Sequence, residues 1–323
     1  MKRKEVVLFI TNKNEPCLDK LTERVSSELC VFRINIEDLL DGTTLLSVDL
    51  KNLWINSEKI NLNSIRSIFY RRGMTANPGK VKNSLQDNFI QKEFRAFLWS
   101  IGFLLRNRFW INHPLEAVSI YENNKLFQLK LARDLELKIP NTIISNNPSK
   151  IDSFCNKNRN DIAVKTMKTH FLKEKNKVLA IYTNRMNKSY FDGREKEIKK
   201  SPLYLQEYIE KFLELRITIV GKEIFCCSID SQKKESTKID WRKLDLYDLK
   251  HEIYTLPENI SRKLIRLVRK MNLIYSAIDM ILTPQGDYVF LEVNPSGQYE
   301  WIEKMTGLEI TKSIAEHLIK GHI

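Results

Sequence analysis

The stretch FLEVNPSGQYEWIE, residues 290–303, begins as a strand and then stops at a turn. Apolar residues surround Glu292, and Asn294 follows two positions later, directly before the turn residues Pro-Ser-Gly. Because residues i and i+2 of a strand point to the same face, these two side chains should present their oxygen atoms side by side. A carboxylate beside an amide oxygen at the end of a strand predicts a site for a hard cation.

The preceding residues predict the strand that pairs with this one. Residues 277–294, AIDMILTPQGDYVFLEVN, have the pattern of a hairpin that turns at Pro284–Asp287. Pairing about that turn should bring Asp279 close to Glu292 or Asn294. The three side chains together suit one or two Mg²⁺ ions, which also take water and phosphate ligands. Taken singly, they fit a surface aspartate, a glutamate paired with a lysine and a strand-end cap equally well.

Length and composition predict a globular intracellular protein. The 323 residues suffice for two or three domains, and the hydrophobic fraction of 42% argues against wholesale disorder. Five cysteines, an odd number with no CxxC pair, indicate reduced thiols and argue against a disulfide framework or a zinc site. The first apolar run is too short for a signal peptide, and Phe97–Leu105 is too short to span a bilayer. We therefore expect a cytoplasmic protein with no membrane partner.

The N-terminal region, residues 1–115, predicts a small α/β domain with a parallel sheet. Strands at Val6–Thr11, Cys30–Asn35 and Ser67–Gly73 alternate with a helical pattern. The apolar run Phe97–Leu105 fits a buried helix near the end of this domain.

Two further units are expected, a central one over 116–200 and a C-terminal one over 201–323. The central unit is basic, because residues 157–200 contain thirteen Lys and Arg against five Asp and Glu. The elements predicted in these units are a helix at Asn123–Leu137 capped by Asn123 or Asn124, strands at Asp161–Met167, Leu203–Glu210 and Leu215–Asp230 with a turn at Gly221–Lys222, and helices at Ser261–Met271 and Leu308–Lys320.

Several residues in these units suit nucleotide binding. Lys125 begins the predicted helix, and Lys165 lies in a strand, where an unpaired buried lysine would be costly without an anionic partner. The backbone of Gln206–Ile209 could read an adenine edge, and Glu214 could accept hydrogen bonds from ribose hydroxyls. Each signal is weak alone, since Lys125 also fits a solvated helix face and Lys165 fits a side chain that reaches water past the strand edge.

In order along the chain, these pieces resemble the ATP-grasp ligases, the superfamily of glutathione synthetase and D-alanine–D-alanine ligase. The resemblance begins at about Glu116 and runs to the C-terminus. The strings that carry it are NKL at 124–126, VK at 164–165, QEYI at 206–209, ELR at 214–216, Asp279 and EVN at 292–294. It implies a mixed α/β (α+β) ATP-grasp fold preceded by an N-terminal pre-ATP-grasp α/β domain.

A narrower resemblance points to the ATP-grasp enzymes that modify peptides. The strings that are similar to that branch are FYRRG at 69–73, IDSQ at 229–232, DWR at 240–242 and EVNPSGQYEWIE at 292–303. The products of that branch are graspetides, which include the microviridin-type peptides and those of the grasp-with-spasm systems.

The resemblance implies a role for each candidate residue, with ATP and Mg²⁺ as cofactors. The implied roles are phosphate binding by Lys125 and Lys165, adenine binding by Gln206, Glu207 and Ile209, ribose binding by Glu214, stabilisation of the γ-phosphate or the acyl phosphate by Arg216 and Arg242, and Mg²⁺ coordination by Asp279, Glu292 and Asn294. One departure is the loop over 166–180, which has no glycine. Many relatives place the backbone N–H groups of a glycine-rich loop on the phosphates, and lysines could replace them here.

The implied reaction is an ATP-dependent ligation within a ribosomally made precursor peptide, consisting of a leader and an acidic core. Asp or Glu side chains would be activated as acyl phosphates and then closed into esters with Ser or Thr, or amides with Lys. The net charge of +13 would steer such a peptide. Because the resembling enzymes are commonly dimers, a homodimer is expected. The pair Arg71–Arg72 fits a substrate or dimer surface, or a cap on the strand end.

Two alternatives stay open from the sequence. An ATP-grasp ligase that joins a free amino acid to a small-molecule or protein carboxylate would keep every nucleotide-binding residue. A basic nucleic-acid-binding protein would explain the charge but not the set of Asp279, Glu292 and Asn294. The sequence has no signature of an RNA- or DNA-binding module, so no nucleic-acid partner is expected.

Glu292→Gln should abolish ligation and weaken the binding of metal and ATP while leaving the fold intact. The amide keeps the shape of the side chain but loses the negative charge that a divalent cation requires. Circular dichroism checks the fold, and titration with MgATP checks the affinity. A fully active variant would refute the metal assignment.

Overall fold

The computed structural model describes residues 5–71, 85–122, 124–167, 171–174, 177–243 and 248–323. The proposed cap Asn123, as well as Arg72 and Gly73 of the predicted third strand, lies outside these ranges. The strands are β1 Val6–Thr11, β2 Cys30–Asn35, β3 Leu46–Val48, β4 Asn52–Ile55, β5 Glu58–Asn61, β6 Ile65–Tyr70, β7 Phe109–Ile111, β8 Thr142–Ser145, β9 Ile162–Lys165, β10 Phe171–Glu174, β11 Lys177–Ala180, β12 Asn184–Met186, β13 Leu203–Glu207, β14 Leu213–Val220, β15 Glu223–Ile229, β16 His251–Ile253, β17 Tyr275–Leu282 and β18 Tyr288–Asn294.

The helices lie between these strands and after the last of them. They are α1 Leu18–Ser26, α2 Ile36–Leu40, α3 Leu85–Leu104, α4 Ser119–Tyr121, α5 Lys125–Asp134, α6 Pro148–Lys157, α7 Glu195–Lys200, α8 Glu258–Lys270, α9 Glu300–Thr306 and α10 Ile310–Lys320. Within the described ranges, no helix combines the length and the apolar character that crossing a membrane requires.

The N-terminal sheet is parallel, with the strand order β2-β1-β6-β7, which confirms the predicted α/β arrangement. Alternate residues of β1 face opposite sides of this sheet. Leu8 belongs to a core with α3, whereas Val7 and Phe9 belong to a core with α1 and α10. The last helix of the chain therefore covers one face of the first sheet.

The prediction of a buried helix at Phe97–Leu105 is correct for the helix and wrong for part of its surface. The helix α3 ends at Leu104, and its inner face contains the buried Leu98 and Ile101. Phe103 on the other face is 54% exposed. The nearly continuous run of apolar residues predicted a helix that is buried on all sides. Only the side of α3 that faces the sheet is buried.

Two antiparallel sheets follow the N-terminal sheet. The middle sheet has the order β12-β9-β13-β8, and the C-terminal sheet has the order β16-β15-β14-β17-β18. In the described part of the glycine-free loop, β10 and β11 pair antiparallel as a two-stranded sheet. Because β13 pairs within the middle sheet, the passage to the C-terminal sheet lies at residues 208–212. The domain boundaries at 115 and 200 stay predictions.

The C-terminal sheet confirms both predicted hairpins. The strands β14 and β15 turn at residues 221–222, and β17 and β18 turn over 283–287. The helix α9 was not predicted, since the turn residues before it masked the short helical pattern. It ends at Thr306, and the following Gly307, with a φ of 75°, provides the left-handed cap.

Gly221→Ala should destabilise the protein more than the matched variant Gly286→Ala. Both glycines have positive φ, +60° and +86°, in hairpin turns. A Cβ atom at Gly221 would lie 2.4 Å from Nε2 of His317, whereas nothing lies within 4 Å of one at Gly286. We expect a loss of about 1–2 kcal/mol from the backbone in both variants, and an additional loss of about 1–3 kcal/mol from overpacking at residue 221. Urea unfolding measures both, and equal losses would contradict the packing of α10 against this turn.

Candidate active site

The structure brings the three predicted metal-binding side chains together. Asp279 on β17 lies directly opposite Glu292 on β18, with an irregularity in register immediately after Asp279. The side-chain amide of Asn294 donates to Oδ2 of Asp279 at 3.1 Å and to Oε1 of Glu292 at 3.4 Å. Two carboxylates and one amide therefore share one face at the end of the hairpin.

Each of these carboxylates is paired with a cation from another element. Lys125, the first residue of α5, forms an ion pair with Glu292. Arg216 on β14 lies opposite Asp279 in the sheet and donates through Nη1 to both of its oxygens, at 2.8 and 3.0 Å. Burial alone would favour the protonated acids. The paired cations instead provide the countercharge that these partly buried carboxylates require.

The pKa values of the two carboxylates move in opposite directions. Burial raises the pKa of Asp279, and the neighbouring charge of Glu292 adds to this effect against Arg216. For Glu292, burial is opposed by Lys125, and then by Lys165 and Arg242, so that its pKa lies well below its usual range. Glu292 is thus the more firmly ionised member of the pair.

Lys165 is the last residue of β9 and faces the same cluster. Loss of hydration lowers its pKa to about 8, and Lys211, Arg242 and Lys125 act in the same direction against the attraction of Glu292. Among the residues that the structure describes, its ammonium group has no hydrogen-bond or ion-pair partner. A desolvated cation of this kind fits an anionic ligand.

Arg242 lies in the short turn Trp241–Lys243 and remains half-exposed. Its guanidinium group donates from Nε and Nη2 to the two oxygens of Asp240, at 2.8 and 2.7 Å. Asp240 is buried and also accepts the backbone N–H of Thr183 at 3.0 Å. The second predicted arginine is therefore oriented by a carboxylate that sequence reasoning did not single out.

The predicted adenine residues lie where β13 leaves the middle sheet. The side chain of Gln206 is buried and donates to Oγ1 of Thr142 at 3.0 Å. The carboxylate of Glu207 accepts the backbone N–H of Asn141 at 3.0 Å and its side-chain amide at 2.8 Å. These hydrogen bonds hold the side chains of Gln206 and Glu207 within the protein, and Ile209 is partly buried. Their roles in adenine binding stay predictions.

Glu214, the predicted ribose ligand, has two partners within the protein. Its Oε1 accepts from Nζ of Lys211 at 2.9 Å and from the hydroxyl of Ser231 at 2.8 Å. Burial raises the pKa of Glu214, and Lys211 opposes this shift. Lys211 was missed in the sequence, although its spacing of three residues from a buried glutamate could have indicated the pair. The role of Glu214 in ribose binding stays a prediction.

Arg71 was expected on a substrate or dimer surface, or as a cap, and the surface expectation is wrong. The side chain is buried and forms an ion pair with the buried Glu15, with Nε 2.7 Å from Oε1. No local pattern indicated a partner 56 positions away. Arg72 lies outside the described residues.

The donor set fits the cofactors that the sequence suggested. The described residues contain no group of three or more His, Cys, Asp or Glu that could hold a metal alone. Two carboxylates and an amide match the few protein oxygens with which Mg²⁺ is usually held beside phosphates and water. The positive charges of Lys165, Arg216 and Arg242 suit the negatively charged phosphates of ATP.

The family model for the RimK-like ATP-grasp domain matches residues 122–318, which include every residue of this cluster. The chain belongs to the RimK-like ATP-grasp family. Membership confirms the predicted ATP-grasp fold and the enzyme class, a ligase that uses ATP and Mg²⁺. The individual site residues stay predictions.

Two solved ATP-grasp structures are similar to nearly the whole chain. The first is a RiPP-associated ATP-grasp ligase of Chryseobacterium gregarium in complex with ADP and a leader and core peptide, at 29% identity and a TM-score of 0.85, covering 98% of this chain and 97% of that one. The second is the macrocyclase MdnC of Microcystis aeruginosa, bound with its precursor peptide MdnA, at 27% identity and a TM-score of 0.82, covering 98% and 99%. The similarity includes the N-terminal domain.

The curated relatives match a smaller part of the chain. The probable alpha-L-glutamate ligase 1 of Shewanella sp. strain MR-4 is 29% identical over 125 residues, which is 38% of this chain and 39% of that protein. The match therefore covers well under half of this chain and well under half of that relative.

Nucleotide affinity should fall as the pH rises above about 8, because the free enzyme then loses the proton of Lys165. A phosphate ligand stabilises the charged lysine, so binding takes up one proton in this range and the Kd rises by up to about tenfold per pH unit. Below pH 8 the lysine is already charged and the dependence should flatten. Calorimetric titration with MgATP between pH 7.5 and 9.5 measures the slope. Lys165→Arg is the control, since arginine keeps its charge, and an equal slope in that variant would contradict the assignment.

Proposed function

We propose that this ATP-grasp ligase is a peptide maturase. It activates side-chain carboxylates of Asp or Glu in a ribosomally made precursor peptide and closes them into ester or amide rings with Ser, Thr or Lys side chains. The observation that carries the proposal is the similarity over 98% of the chain to ligases whose structures contain precursor peptides. The amino-acid ligases match only 38% of the chain.

The first step makes the peptide carboxylate reactive. A carboxylate resists attack because of its charge and poor leaving group. Transfer of the γ-phosphoryl group to one of its oxygens, with release of ADP, removes both obstacles. Arg216 and Arg242 suit this step because a guanidinium fork binds carboxylate and phosphate oxygens in bidentate fashion. Lys125 and Lys165 would hold the phosphates, and Lys125 would leave Glu292 to do so.

The pair of Asp279 and Glu292, with Asn294, would hold Mg²⁺. When bound, the ion neutralises charge on the phosphates during phosphoryl transfer. Asp240 keeps the guanidinium of Arg242 oriented, and Asp279 does the same for Arg216. In this mechanism the two oriented guanidinium groups would stabilise the negative charge that develops during phosphoryl transfer.

The second step closes the ring. A hydroxyl or amine of the same peptide attacks the acyl carbon, the phosphate leaves, and the nucleophile's proton passes to phosphate or solvent. Each ring thus removes one water from the mass of the peptide. Holding both ends in one site makes the closure effectively unimolecular, which can lower the barrier by roughly 7–11 kcal/mol.

The charge of the chain supports a precursor with an acidic core. The protein has a formal net charge of +13, and the region 157–200 contributes +8 of it. Such a surface raises the encounter rate with anionic ligands and loses this effect with added salt. We also propose that the enzyme acts in the cytoplasm as a homodimer.

A second candidate is a ligase that joins free glutamate to another carboxylate. The 125-residue match to probable alpha-L-glutamate ligases supports it. The two candidates share the nucleotide site and differ in the acceptor, so the product distinguishes them.

Co-expression with the short acidic reading frame encoded nearest to this gene should reduce the mass of that peptide by about 18 Da for each ring, because each closure releases one water. Mass spectrometry of the purified peptide measures the loss, and Glu292→Gln is the matched inactive control. Fragmentation then shows which carboxylate is joined to which nucleophile.

Two results would contradict the maturase. The peptide mass stays unchanged when enzyme and ATP are present and the enzyme hydrolyses ATP with a small amine or amino acid instead. Alternatively, the mass rises by glutamate residues, which would establish the second candidate.

A further inference from the structure

The segment Pro295–Tyr299 joins the end of β18 to α9, and the N-terminal domain holds it at two points. Asn112, just after β7, donates from Nδ2 to the carbonyl of Pro295 at 3.0 Å. Arg71, just after β6, donates from Nη2 to the carbonyl of Gly297 at 2.9 Å. Both contacts join residues more than 180 positions apart in the chain.

Arg71 makes several further contacts that fix the position of its side chain. Its Nε donates to Oε1 of Glu15 at 2.7 Å, and both side chains are buried. Its guanidinium lies 5.5 Å from the ring centre of Tyr275 and 5.1 Å from that of Tyr299. The hydroxyl of Tyr275 donates to the same carbonyl of Gly297. A buried ion pair is a poor source of net stability, whereas its geometry can specify one arrangement.

The held segment in turn contacts the proposed catalytic arginine. Nη2 of Arg216 donates to the carbonyl of Gln298 at 3.2 Å. A Cβ atom on Gly297 would lie 2.8 Å from the same Nη2, so the glycine backbone packs directly against the guanidinium. Within the described residues, Nε of Arg216 has no partner. The orientation of Arg216 therefore depends on Asp279 and on this segment.

The segment also contacts the strand end that carries the amide of the metal site. The backbone N–H of Gly297 donates to the carbonyl of Asn294 at 3.2 Å. A shift of Gly297 would thus displace both Arg216 and the turn that follows Asn294.

We propose that Arg71 is a positioning residue for the ligation: anchored by Glu15, it holds the carbonyl of Gly297 so that the next carbonyl, that of Gln298, orients Arg216 against Asp279. This inference rests on the proposed function for the role of Arg216, while the contacts themselves do not. Arg71 is buried and hydrogen-bonds to Glu15 and to this segment, so its effect on the reaction would pass through the segment to Arg216.

Arg71→Lys tests the inference with its charge retained. A lysine has no fork and cannot bind Glu15 and the carbonyl of Gly297 with the geometry of the guanidinium. The rate of peptide-dependent ADP formation should fall by about 10–100-fold, as expected for a small misplacement of a reacting group. The Kd for ATP should change much less than this rate, because the proposed phosphate-binding residue Lys125 pairs with Glu292 and not with the 295–299 segment.

Arg66→Lys is the matched control. Arg66 lies near the other end of the same strand, β6, pairs with Glu5 and donates to the carbonyls of Ile319 and Lys320 at 3.1 and 3.2 Å. It does not contact the 295–299 segment. The variant Arg66→Lys should lower the melting temperature without changing kcat. The comparison with Arg71→Lys therefore separates a loss of stability from a loss of positioning.

Two further readouts distinguish positioning from a purely structural role. Hydrogen–deuterium exchange over residues 293–302 should accelerate in Arg71→Lys and not in Arg66→Lys. In a double-mutant cycle, Arg71→Lys should add little to the loss in Arg216→Lys, because both act on the same guanidinium. Additive losses, or unchanged exchange in Arg71→Lys, would overturn the inference. A wild-type enzyme that forms no ADP with any acidic peptide would refute the proposed function instead, and the exchange comparison would still decide the part of Arg71.

Discussion

The candidate active site depends on the register of three adjacent antiparallel strands. Arg216, Asp279 and Glu292 occupy directly opposed positions on β14, β17 and β18. The side chains of such a row lie on one face of the sheet, so pairing alone places a cation, a shared carboxylate and a second carboxylate in line. A slip of one residue would turn each side chain to the other face. The apolar residues between them, which are buried on the opposite face, exclude that slip.

The charges around this row nearly balance without a ligand. Arg216 neutralises Asp279, Lys125 neutralises Glu292, and Asp240 neutralises Arg242. Lys165 is the exception among these residues, since it has no ion-pair partner in the described part of the chain, and burial lowers its pKa to about 8 against the attraction of Glu292. A phosphate at Lys165 would find an unpaired cation, whereas the other cations would have to exchange a protein partner for a ligand.

Patterns in the local sequence correctly predicted the structure that depends on neighbouring residues. The alternation of Val289–Asn294 and the turn before it specify the hairpin, and this hairpin brings Asp279 to Glu292. The partners that sequence reasoning missed are distant in the chain: Glu15 for Arg71, and Asn112 for the segment after β18. Nothing in the periodicity of a strand specifies which buried carboxylate will neutralise an arginine 56 residues away. The exposure of part of α3 was missed for a related reason. Hydrophobicity shows which residues can be buried, but the packing of neighbouring elements determines which residues are buried.

The position of α10 has a consequence for synthesis of the protein. This helix covers Val7 and Phe9, which leave the ribosome about 300 residues before it does. At roughly 5–20 residues per second, that face of the first sheet waits on the order of 15–60 s for its cover. During this interval the nascent domain exposes an apolar surface of the kind that chaperones bind. Folding of the protein is therefore slowed by its topology, because the core around the first strand is incomplete until the last helix has been synthesised.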